Sequence, residues 1–263
     1  MRGRTPQLSR TGAWGIGYGR RVSGGQELGT ESPLVERDGE LSTLRAAVDG
    51  AVRGRGSVVV VRGQAGIGKT TLLQAAAEIA VTREVRVLRA RGGVLERDLA
   101  YGALRLLLEA PLSSLGPAER ADVLSGAAAL AGPALAVTAG ALGAGEPDRG
   151  LAIEHGLYWT VANLAERQPL LLVLDDVHWF DAPSLRFLVY LARRLADLPV
   201  AMVVATRPDE RADESLLVDQ LLDEAGVEEL RPSTLSVSAC ASASALLSGP
   251  SNGQSPDERQ NCM

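Results

Sequence analysis

Lysine is almost missing from this 263-residue chain: of its 27 basic residues, Lys69 alone is lysine and the rest are arginine. A coding bias toward GC-rich codons explains the arginine most simply. The one position that keeps lysine is therefore a candidate for needing a compact point charge on a flexible stem, which arginine's planar fork does not supply. Cysteine and histidine are nearly as scarce. Cys240 and Cys262, with His155 and His178, cannot form a four-ligand zinc site at recognisable spacing or a disulfide framework, and a reducing, cytoplasmic setting is the default expectation. There is no basic excess either. A formal charge of −5 argues against a chain that binds nucleic acid through overall charge, although a local basic patch stays open. The first residues, MRGRTPQLSRTGAWGIGYGRR, lack the apolar stretch of a secretory signal. The charge-free stretch Val123 to Gly145 is mostly Ala and Gly around Pro133, too weakly apolar for a membrane span, and reads as a buried helix-turn-helix. What is present is 46% apolar and 22% charged residues, enough for one large α/β domain with tails.

Three regions follow from composition. Residues 1–33 carry basic charge, Gly and Ser without a period and read as a disordered arm, with a base-stacking role for Trp14 and Tyr18 as the alternative. Between 34 and 232, apolar runs of strand length alternate with amphipathic helical segments, the pattern of a parallel sheet covered by helices on both faces. Strands are expected at Ser57–Val61, Val85–Arg89, Leu170–Leu174 and Val200–Ala205, with a possible edge strand at Val227–Leu230. Helices are expected at Glu40–Val52, Thr70–Ala80, Leu99–Glu109, Pro117–Ala131, Leu151–Arg167, Ser184–Leu195 and Ser215–Ala225. Residues 233–263 are rich in Ser, Ala, Gly and Pro and offer one weak helix near Ala239–Leu247.

The lone lysine falls inside GQAGIGKT, Gly63 to Thr70, an unbroken match to G-x-x-x-x-G-K-[ST] followed by Thr71. Its context fits, with VVVV before it and TTLLQAAAEIA after it. Gly63, Gly66 and Gly68 allow the backbone torsions and close approach that let successive N–H groups of the loop, including Gln64, Ala65 and Ile67, turn inward on phosphate oxygens. The helix starting near Lys69 adds its unpaired donors and positive dipole end. Lys69 can reach the β- and γ-phosphates, and the Thr70 hydroxyl can ligate Mg²⁺.

Such a loop needs a second Mg²⁺ anchor at the tip of a neighbouring buried strand. Asp175 and Asp176 stand at the end of Leu170–Leu174, and two carboxylates there are expensive to bury without a cation. Asp175 is assigned to the metal, directly or through water. Asp176 is the candidate to orient or activate the attacking water, with an N-cap of the next segment as the alternative. Arg207, after Val200–Ala205, is either a γ-phosphate sensor or a surface arginine on the residues alone. His178 and Trp179 read as a packed corner before they read as catalytic.

Together, LVERDGEL (34–41), RGQAGIGKTTLL (62–73), LERDLAYGALRLLL (95–108), LLLVLDDVHWFDAPSL (170–185) and VVATRPDE (203–210) resemble the STAND-type AAA-like ATPases, most closely the ATPase module of large ATP-binding regulators of the LuxR family. The resemblance implies a three-layer αβα P-loop NTPase fold with sheet order 5-1-4-3-2, in which the strand ending at Thr206 lies between the P-loop strand and the strand ending at Asp175. It implies ATP and ADP as ligands, Val35 to Arg37 near the adenine, and Arg207 as the sensor. The double Asp implies slow, switch-like hydrolysis. Self-association through the ATPase domain is the further partner it leaves open. The tail looks like the entrance to a helical lid, and no recognition helix follows, so a truncated regulator without direct DNA binding or membrane attachment is the expectation. The rival readings are a stand-alone NTPase with real turnover and a non-hydrolysing interaction module.

Overall fold

The structure, a computed structural model, describes residues 36–93, 99–135, 147–208, 212–224 and 226–234. The expected basic arm, Val35, residues 136–145 of the charge-free stretch and the weak helix at 239–247 lie outside the described residues.

Five strands run in chain order: β1 (Ser57–Arg62), β2 (Arg86–Arg91), β3 (Leu170–Asp175), β4 (Val200–Thr206) and β5 (Val227–Leu230). The helices are α1 (Asp38–Val52), α2 (Lys69–Thr82), α3 (Gly102–Ser113), α4 (Pro117–Val123), α5 (Gly132–Leu135), α6 (Pro147–Arg167), α7 (Ala182–Ala192) and α8 (Ala212–Leu222), with 3₁₀ turns at Gly126–Ala131 and Val177–Trp179. All strand pairs are parallel, in the order β2-β3-β4-β1-β5, which is the order the resemblance implied. None of the described helices is long and apolar enough to cross a membrane.

The central strands are continuous apolar runs because both their faces are covered, and strand period 2 assigns each side chain to a face. Val58, Val60, Leu170, Leu172, Leu174, Met202 and Val204 share one core with residues of α3, α6, α7 and α8. Val59, Val61, Leu171, Val173, Ala201, Val203 and Ala205 share the other with α1 and α2. Each fully buried Leu or Val contributes roughly 1.5–3 kcal/mol. The strands are thereby held in one register, and everything at their C-terminal tips is placed by it.

The expected helix Pro117–Ala131 is not continuous. It breaks after Val123, Gly126 takes a positive φ of 58°, and a 3₁₀ turn leads into α5. The helix expected from Leu99 begins instead at Gly102, because Tyr101 is left-handed (φ 59°) and its backbone N–H donates to the Asp181 carboxylate at 2.7 Å. This bond anchors the chain on the α7 N-terminus.

Candidate nucleotide-binding site

Parallel pairing gathers the candidate residues at the C-terminal ends of the strands. Arg62 lies beside Thr206, so Gly63 and Arg207 leave neighbouring tips. Arg91 lies beside Asp175. The loop from Gly63 to Gly68 bridges β1 and α2. Gly66 (φ 77°) and Gly68 (φ 96°) adopt left-handed torsions that a side chain would strain. Gly68 is the N-cap of α2 and has no side chain with which to cap it, so the first N–H groups of the helix are left to the loop. A Cβ on Gly63 would stand only 2.8 Å from the Ile67 Cγ2.

Lys69, the first residue of α2, is 7% exposed and turned back over the loop. Its Nζ donates to the carbonyls of Gly63 at 2.7 Å and Gln64 at 2.9 Å. Thr70 donates from Oγ1 to the Asp175 Oδ2 at 3.1 Å, joining α2 to the tip of β3 across 105 residues. The other oxygen, Oδ1, is buried and has no hydrogen-bond partner among the described residues. A hydroxyl beside a buried carboxylate oxygen that lacks a donor is a donor set suited to a hard divalent cation, and leaving that oxygen unsatisfied is otherwise costly. The residues present therefore fit Mg²⁺ held by Thr70 and Asp175.

Asp176 turns left-handed (φ 52°), and its backbone carbonyl accepts from the Trp179 N–H at 3.0 Å. Its side chain makes no cap bond. Instead, its Oδ2 accepts from the Arg91 Nη2 at 3.1 Å and Nε at 3.3 Å, while its Oδ1 lies 4.0 Å from the Arg207 Nε. Gly92 packs directly on this turn; a Cβ there would meet the Asp176 carbonyl oxygen at 2.4 Å. Ala65, Gly66, Gly68, Lys69, Thr70 and Thr71 form one side of a cleft of about 320 Å³, and Arg91, Asp176 and Arg207 complete its lining.

Arg37 is 3% exposed. It donates to Glu40 at 2.9 Å, to the Ile67 carbonyl at 3.2 Å and to the Ser233 carbonyl at 2.5 Å, tying the start of α1 to the back of the loop and to the segment after β5. His178 is buried against Trp179, with ring centroids 5.5 Å apart. Arg91 was not singled out from the sequence. The expected strand stopped at Arg89, which left Arg91 two residues out in a loop.

The chain matches the family model of the AAA ATPase domain over residues 33–204. It belongs to the AAA ATPase domain family. That family assignment carries nucleotide binding with it, and the loop, the strand tip and the cleft all fall within or directly beside the matched span. The chain is also 30% identical over 203 residues to an uncharacterized protein of Rhizobium meliloti (strain 1021), a match that takes in 67% of this chain and 19% of the relative. The chain thus spans about a fifth of that relative's length. Among solved structures it is similar to the Aeropyrum pernix ORC2 protein, determined in ADPNP–ADP complexes. The TM-score is 0.44 and the identity 16%, over 75% of this chain and 48% of that one.

Proposed function

We propose that the AAA ATPase domain is a Mg²⁺-ATP-binding regulatory switch with slow hydrolysis, of the kind carried by large LuxR-family regulators. The observation that carries the reading is the buried Asp175 carboxylate. It takes the Thr70 hydroxyl on one oxygen and leaves the other without a described donor, beside a glycine loop whose lysine is the only lysine in the chain. The loop's backbone N–H groups and the α2 N-terminus bind the phosphate chain. Lys69 exchanges the Gly63 and Gln64 carbonyls for phosphate oxygens, a charge-assisted replacement for two neutral acceptors. Thr70 and Asp175 hold the metal, which when bound neutralises charge on the phosphate oxygens. Asp176 positions water, and Arg207 reports the phosphate state. Slow turnover rests on the resemblance, whose double Asp puts the shorter Asp176 where many related ATPases carry glutamate. ATP and ADP are the ligands, and self-association through the domain is one output of the switch.

Because Lys69 is the only lysine, amine-directed acylation can modify only it and the N-terminal amine. Mg-ATP is expected to slow acylation of Lys69 at least about tenfold, a site occupied more than 90% of the time. Lys69→Ala should abolish ATP binding. Lys69→Arg should weaken it strongly, since a planar fork does not fit between the two loop carbonyls. Unchanged acylation of Lys69 under saturating Mg-ATP, with ATP binding surviving Lys69→Ala, would sink the assignment.

A further inference from the structure

We propose that Arg91 is a ligand of the terminal phosphate, discriminates the triphosphate from the diphosphate, and rests on Asp176 until that phosphate arrives. The inference rests on the cleft being a nucleoside triphosphate site and goes beyond it in assigning a residue on the sheet edge. Arg91 is the last residue of β2, directly beside Asp175 in the pairing of β2 with β3. Its guanidinium makes two bonds to one oxygen of Asp176 and stands 3.9 Å from the Asp175 Oδ2.

Two features separate it from an ordinary edge-strand arginine. The first is its place. It lines the same cleft as Gly66, Gly68 and Lys69 of the loop, whereas Arg89 on the same strand donates to Gln74 at 3.0 Å and Arg86 to Ser114 at 2.7 Å, and neither lines the cleft. The second is how weakly it is held. The Arg91 side chain is 69% exposed, so its guanidinium can swing from Asp176 to a phosphate without leaving a packed site, and the Asp176 carboxylate it would leave still has the Arg207 Nε 4.0 Å away. A phosphate presents more charge and matches the guanidinium fork in a bidentate contact.

The charge around the cleft points the same way. Among the described residues, the cleft lining brings Lys69, Arg91 and Arg207 together with Asp176, and Asp175 lies 3.9 Å from Arg91. The loop and Lys69 suffice for the phosphates common to both nucleotides. Arg91, at the tip of β2 and on the cleft, is the guanidinium assigned to the phosphate that only the triphosphate has.

The test is calorimetric titration of the full chain with ADP and with a non-hydrolysable ATP analogue, both with Mg²⁺. Arg91→Ala is expected to weaken the analogue by about ten- to a hundredfold, the range of a charge-assisted bond, and ADP by less than about twofold. Arg91→Lys should fall between Arg91→Ala and the wild type. Arg89→Ala, on the same strand but off the cleft, should change neither affinity. Thermal unfolding of Arg91→Ala should match the wild type, given the exposure of the side chain. Equal weakening of both nucleotides, or no change in either, overturns the role of Arg91 while leaving the site intact. A wild-type chain that binds neither nucleotide, or binds both unaffected by Lys69→Ala, overturns the site reading and this proposal with it.

Discussion

At the scale of single residues, Asp181 shows how one buried group can organise the surroundings of a site it does not enter. It is 3% exposed and is the N-cap of α7, accepting from the Ser184 N–H at 2.9 Å and the Ser184 hydroxyl at 2.6 Å. It also accepts from the backbone of Tyr101 at 2.7 Å and of Ala103 at 3.3 Å. Removing it strips a cap and orphans buried donors, so Asp181→Ala is expected to lower stability by about 2–4 kcal/mol. Asp181→Asn, which keeps one acceptor oxygen, should lose less; urea unfolding of the three chains measures both. The spelling Asp181-Ala182-Pro183-Ser184, with proline in the first turn, carries the cap signal, yet the expected helix started only at Ser184 and missed it. That the same carboxylate also holds Tyr101 is not legible. The bond spans 80 residues, and Tyr101 reads as an ordinary aromatic at the start of an amphipathic run.

At the scale of elements, the strands were the most legible part, because β-branched runs bounded by Gly, Pro and Asp punctuate themselves. The structure extends β1, β3 and β4 by a single residue at the C-terminal end, and shifts β2 by one residue at its start and two at its end. That last shift decides which arginine meets Asp176. The helical region from 99 to 135 was the least legible. Its composition, rich in Ala and Leu, satisfies helix periodicity almost anywhere, and the breaks are set by packing against α6. Two glycines within α6 make this testable. Gly150 has open space where a Cβ would go, whereas a Cβ on Gly156 would stand 2.3 Å from the Ala131 backbone N. Helix propensity alone favours alanine at both by about 0.5–1 kcal/mol. Gly150→Ala is therefore expected to stabilise by that amount. Gly156→Ala should destabilise, by about 1–3 kcal/mol, because the 3₁₀ turn must be pushed off the helix. Thermal or denaturant unfolding should give opposite signs for the two.

At the scale of the whole molecule, the two cores on either side of the sheet hold most buried groups apolar, and one half-buried acid bears on the pH dependence. Glu154 of α6 has a side chain only 12% exposed, with the Arg186 Nε 3.9 Å away. Burial raises its pKa from the ordinary 4.5, and the nearby Arg186 and Arg194 only partly oppose that. The folded chain thus binds this proton more tightly than the unfolded one. The stability it contributes is full below pH 4.5 and is lost as the pH rises through the elevated value. Glu154→Gln should accordingly raise Tm modestly at pH 7, with the gain shrinking toward pH 4; melting curves at the two pH values check it. The phosphate loop was readable in advance, since glycine torsions, an uncapped helix start and one lysine are local properties carried by eight consecutive residues. The acidic tip of β3 was readable for a similar reason: carboxylates directly after a fully apolar strand announce themselves. Which of these groups meet was decided by the tertiary structure alone. Thr70 reaches Asp175, Arg91 reaches Asp176, and Arg37 links Ile67 to Ser233 because strand order and register are set by packing on both faces of the sheet. Such non-local constraints leave no trace in the spelling of any one segment.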